Sequence, residues 1–123
     1  MEKPSIEKIV AKLEERDARE WTREIREPLT IEERYEEFVA EINGLTFSLY
    51  LSRKHREFRK DLFYPCLSIT NKERAVGIEY NEPKTDSVEA KEIGRLHKKI
   101  KEYFTKEKQI GEFEEKLNAF LSD

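Results

Sequence analysis

The chain predicts one α+β domain, a small antiparallel sheet of about three to four strands with an N-terminal helix and two C-terminal helices packed on one face. Three observations carry that expectation. Apolar residues recur at helical spacing near both ends, they alternate at strand spacing through the middle, and no linker rich in Pro, Gly or Ser divides the 123 residues.

Each element follows from its local pattern. Ser5 is an N-cap, and Ile6, Ile9, Val10 and Leu13 repeat at three- and four-residue steps, so a first helix starts there. It ends between Arg16 and Arg26, before Pro28, whose ring removes a backbone donor. Residues 30–42 carry two readings. As a helix, Thr30 and Glu33 form a capping box, Ile31, Tyr35, Phe38, Val39 and Ile42 share a stripe, and Gly44 stops the run. As a strand, Phe38, Ala40 and Ile42 pair with Leu49, Phe47 and Leu45 across an Asn43-Gly44 turn. The glutamates tilt the balance slightly toward helix.

Leu45, Phe47, Leu49 and Leu51 alternate with Thr46, Ser48, Tyr50 and Ser52, which makes a strand with one core face and one hydroxyl-rich face. Residues 66–71 and 75–80 repeat that period and form a hairpin around Lys72, Glu73 and Arg74, while residues 53–65 read as a basic connector. Pro83 ends the sheet. Asp86 and Glu89 frame a second capping box, and Ile93, Leu96, Ile100, Tyr103 and Phe104 place a long helix from near Ser87. After Gly111, the residues Phe113, Leu117, Phe120 and Leu121 mark a last short amphipathic helix.

Composition narrows the functional classes. The longest run without a charge, residues 42–52, spans 11 residues, and a membrane-crossing helix needs about 20. The first ten residues carry charges where a secretory signal needs an apolar run, the single Cys66 has no disulfide partner, and a cytoplasmic setting is expected. Lys and Arg number 24 against 27 Asp and Glu, and 41% of residues are charged, a composition resembling that of heat-adapted proteins. The balance shifts along the chain: residues 1–52 hold 8 basic and 13 acidic groups, whereas residues 53–108 hold 15 and 10.

Gly44, Gly77, Gly94 and Gly111 stand apart, so neither a P-loop nor a dinucleotide fingerprint is present. His55, His97 and Cys66 lack zinc-site spacing, and no cofactor or metal is expected. His97 falls beside the apolar stripe of its helix as a packing residue. The densest chemical feature is basic: Arg53, Lys54, Arg56, Arg59 and Lys60 surround Phe58. Such a run can neutralise phosphates while the ring stacks on an unpaired base, or it can pair with the acidic first part of the chain. Arg95, Lys98, Lys99 and Lys101 add a second basic group on the long helix, and the two would merge if they lie side by side.

One acidic pattern is enzyme-like. Asp61 precedes a strand, and Glu79 follows in Gly77-Ile78-Glu79-Tyr80-Asn81. That order resembles the restriction-endonuclease-like phosphodiesterases, a resemblance that implies two carboxylates holding Mg²⁺ beside an attacking water. The lysine position of that family holds Asn81, no Pro-Asp pair precedes Asp61, and Lys84 lies beyond Pro83.

Tyr103, Phe104, Phe113 and Phe120 crowd the last quarter, either as a lid on the protein's own core or as a face for a homodimer. The functional expectation is a small non-catalytic interaction or regulatory protein. It binds another protein through the basic residues of 53–60 and 95–101, with single-stranded nucleic acid as the alternative ligand and a degenerate Mg²⁺-dependent nuclease built on Asp61 and Glu79 as a third.

Overall fold

The computed structural model describes residues 2–26 and 35–122. The first helix, α1 (Ile6–Glu14), has the expected face, with Ile6, Val10 and Leu13 buried. It stops early because the Asp17 carboxylate accepts a hydrogen bond from the Arg19 backbone amide at 2.9 Å and caps a single 3₁₀ turn, Ala18–Glu20. The chain then leaves as strand β1 (Trp21–Arg26), with Trp21 buried opposite Ala40. The helix thus ends just before the expected range of Arg16 to Arg26, and residues 21–26 add a strand to the three to four expected.

Strand β2 (Tyr35–Ile42) resolves the ambiguous segment in favour of the hairpin. Phe38, Ala40 and Ile42 face Leu49, Phe47 and Leu45 on β3 (Leu45–Lys54), in the register that the Asn43-Gly44 turn predicts. Both turn residues have positive φ, 53° and 77°, as the tight turn matching strand twist requires. The capping-box residues Thr30 and Glu33, with Ile31 and Pro28, lie outside the described residues.

The basic connector is mostly strand. β3 runs to Lys54 and β4 (Leu62–Asn71) returns along it with Lys54 opposite Leu62, so only residues 55–61 form the tip of a long hairpin. β5 (Gly77–Tyr80) completes an antiparallel meander of order β1-β2-β3-β4-β5. Its turn, 72–76, is longer than the three residues expected, because the Asn71 side-chain carbonyl accepts hydrogen bonds from the Ala75 and Val76 amides at 2.8 and 3.1 Å.

One helix stands where two were expected. α2 (Val88–Ser122) is 35 residues long and passes through Gly111 unbroken. A lone glycine costs a helix about 1 kcal/mol relative to Ala, too little to end it without a stop conformation. Its cap is Ser87, whose hydroxyl accepts from the Ala90 amide at 3.1 Å. The third helical position is therefore Ala90, and the expected box between Asp86 and Glu89 is displaced by one residue.

Both helices lie on the apolar face of the sheet. Phe38, Leu49, Leu67 and Tyr80 supply its centre, Val10 and Leu13 come from α1, and Ile93, Leu96 and Ile100 come from α2. The Phe38 ring stacks on Phe104 at 5.3 Å and meets His97 edge-on at 5.6 Å. Tyr80 donates its hydroxyl hydrogen to the Pro4 carbonyl at 2.6 Å, fastening the N-terminal segment to the last strand.

Candidate interaction surfaces

The far end of α2 leaves the domain. Phe104 is its last residue packed against the core, and residues 105–122 are exposed throughout. At 1.5 Å per residue this arm projects about 27 Å. Its apolar residues are ordered, with Ile110, Phe113, Leu117, Phe120 and Leu121 at three- and four-residue steps along one side. Phe113 is 66% exposed and Phe120 73%, values that exclude an intramolecular lid.

This stripe does not continue the one that faces the sheet. At 100° per residue, the side holding Ile110, Phe113 and Leu117 is turned roughly a third of a revolution from the side holding Ile93, Leu96 and Ile100. It lines up instead with Arg95 and Lys99. Those two reach α1: Arg95 donates to the Glu14 carboxylate at 2.8 Å and the Lys99 ammonium to the Glu14 carbonyl at 3.0 Å. So α1 covers this side of α2 over its first half, and no described residue covers it over the second.

The helical basic set is consequently divided. Arg95 is held between Glu14 and Glu92, which keeps its guanidinium charged, and Lys99 is turned to α1. Lys98 and Lys101 lie on the solvent side and make no ion pair with other described residues.

At the β3–β4 hairpin the Arg53 guanidinium and the His55 ring both contact the Asp61 carboxylate at 3.0 Å. Arg56 clasps the loop by donating to the Lys60 carbonyl at 2.7 and 3.0 Å. Outside this clasp, Lys54, Arg59 and Lys60 are exposed. Phe58 sits at the tip with φ 61° and its ring entirely in solvent, and Phe63 is 59% exposed nearby. A bulky residue with positive φ is uncommon and strained. The helix passes the base of this hairpin at Gly94, where a Cβ would lie 3.7 Å from the Pro65 ring, before continuing to Phe38.

The nuclease pair is separated. Asp61 sits just before β4, whereas Glu79 lies on β5 opposite Ser68. Seven residues of extended chain place the two about 23 Å apart along the sheet, and a Mg²⁺ ion needs its ligands within about 2.1 Å of itself. Glu79 accepts a hydrogen bond from Asn81, and no group of three or more His, Cys, Asp or Glu among the described residues could hold a metal.

The sheet face away from the helices is polar and partly closed over. Ser48, Tyr50, Ser68, Thr70, Glu37 and Glu79 border a shallow cleft of about 340 Å³. Burial first, then Cys66, Glu79 and Glu37, push the Tyr50 phenol up to about 12. Burial also raises the Cys66 thiol, which donates to the Ser52 hydroxyl at 3.4 Å. Both groups stay protonated near neutral pH, so neither serves as a nucleophile there. A larger apolar cleft, about 1140 Å³, opens between α1 and the sheet, with Ile9, Leu13, Ile42, Phe47 and Ile69 in its walls.

No protein-family model, curated protein or solved structure matches this chain. No helix is long and apolar enough to cross a membrane among the described residues.

Proposed function

We propose that this is a non-catalytic interaction protein that presents the α2 arm to another polypeptide. The observation that carries the reading is the exposed stripe of Ile110, Phe113, Leu117, Phe120 and Leu121 on a helix that has already left its own core. Most helical stability in proteins comes from packing of an amphipathic face, Gly111 weakens the arm, and an amphipathic helix laid against apolar surface is a standard mode of protein recognition. The exposed cations Lys98 and Lys101 flank the base of the arm and suit an acidic partner surface.

A second reading rests on the hairpin tip. Phe58 in full exposure, with Phe63, Arg59 and Lys60 close in sequence, is the arrangement that stacks on an unpaired base while neutralising phosphates. Single-stranded nucleic acid is its ligand.

One experiment separates the two. A photoreactive phenylalanine is placed at Phe113, at Phe58 or, as a control on the opposite side of the arm, at Glu115. The main reading expects irradiation to yield protein adducts from position 113 and few from 115. The second expects salt-sensitive adducts to single-stranded oligonucleotides from position 58. Equal or absent protein adducts at 113 and 115 remove the first; no oligonucleotide adduct at low salt removes the second.

A further inference from the structure

We propose that the cleft between α1 and the sheet binds a single-chain aliphatic carboxylate, its tail along the sheet and its head against Lys8 and Lys12. The inference stands apart from the arm and from the hairpin tip.

The cleft exists because α2 packs on one side of α1 only. Arg95 and Lys99 reach that side at Glu14. At 100° per residue, Ile9 and Arg16 are turned about 140° and 160° from Glu14, and the cleft opens along their side of the helix. Ile9 and Leu13 form its wall, and its floor runs from Ile42 on β2 across Phe47 on β3 and Ile69 on β4 to Ile78 on β5. Crossing from β2 to β5 takes three strand spacings, about 14 Å. An extended hydrocarbon advances about 1.25 Å per carbon, so about twelve carbons span the floor.

The polar groups around the cleft select the ligand. In the floor, β3 and β4 are paired on both sides, so their backbones have no hydrogen bonds to offer a peptide, and a hydrocarbon asks for none. Of the charged residues along the cleft, Arg16 is tied to Glu20 and Asp17 to Arg19. Lys8 and Lys12, four residues apart on α1, make no ion pair with other described residues. They lie toward the end of α1 where Pro4 is fastened to Tyr80 of β5, whereas Glu15, also without an ion pair among the described residues, lies at the opposite end of the helix. A carboxylate at the Lys8 end therefore gains two charge-assisted hydrogen bonds away from Glu15, and its tail extends over Ile78, Ile69 and Phe47 toward Ile42. Apolar walls with a few convergent polar groups are the usual make-up of a small-molecule site.

The test uses the full chain, labelled with ¹³C in its isoleucine δ1 methyl groups and titrated with dodecanoate. Saturable shifts are expected at Ile9, Ile42, Ile69 and Ile78 with a midpoint below about 1 mM, while Ile93 and Ile100 under α2 and Ile110 on the arm stay in place. Dodecyltrimethylammonium, with the same tail and the opposite charge, should bind about tenfold more weakly. Lys8→Glu with Lys12→Glu, both on exposed positions, should abolish that preference with an unchanged circular dichroism melt. Absence of shifts at the four cleft residues up to about 1 mM overturns the site. Shifts that begin at Ile110 would mean that the amphiphile coats the arm, which overturns it equally. Equal affinity for the two probes, or a preference that survives the double substitution, overturns the carboxylate and the role of the two lysines.

Discussion

His97 shows how burial converts a titratable side chain into a packing group. It is 8% exposed, set edge-on against Phe38, and burial first and Lys101 second hold its pKa below the ordinary value, with Glu36 opposing. The unfolded chain takes up the proton near pH 6.5, and the folded chain does so only at lower pH. Between those values the unfolded state binds more protons, so this contribution to stability is fully present above about pH 6.5 and is lost as pH falls toward the depressed value, at up to about 1.4 kcal/mol per pH unit. The urea midpoint should fall between pH 7.5 and 5.5, and His97→Phe should flatten that fall; an equally steep fall in the variant would mean that other groups cause it. The helical stripe already marked His97 as a packing residue. Nothing in the order of residues marked Glu37, buried to 6% on the polar face of the sheet opposite Tyr50 of β3, because burial there depends on residues distant in sequence.

Among the elements, those with strong local codes were legible. The α1 face and the alternating β3 strand appear as their patterns imply, whereas the Asn43-Gly44 hairpin takes the register of the strand reading against the slight tilt toward helix that the glutamates gave. β1 was hidden because six residues with two Arg and one Glu show little alternation, and only pairing with β2 makes them a strand. The β4–β5 pair has a sharper requirement. A Cβ on Gly77 would stand 2.7 Å from the Thr70 methyl and 2.9 Å from the Ile69 carbonyl oxygen. Thr70 can turn, but a paired backbone carbonyl moves only with its strand. Gly77→Ala should therefore cost about 1–3 kcal/mol, read as a lower denaturant midpoint with an unchanged slope; an unaltered midpoint would show that β5 shifts at no cost.

Taken as a whole, the molecule divides into a packed unit ending near Phe104 and an arm that adds nothing to its core. A chain ending at Lys106 keeps every buried side chain found among the described residues. Its unfolding free energy at low concentration should match that of the full chain within about 0.5 kcal/mol, the usual range for surface changes. A loss of several kcal/mol in the shortened monomer would place the arm inside the folding unit. The basic residues divide in the same way: Arg95 and Lys99 hold α1 to α2, Arg53 and Arg56 brace the hairpin, and Lys98, Lys101, Arg59 and Lys60 remain outward.

Periodicity and turn chemistry, read along the chain, were enough to establish the α+β class, the central strands and the apolar face of each helix, since these depend on residues a few positions apart. Packing alone decided the number of strands, the continuity of α2 and the fate of its aromatic residues. A helical stripe has the same spacing whether or not something covers it. Phe104 meets Phe38 while Phe113 meets solvent only because the sheet ends between them.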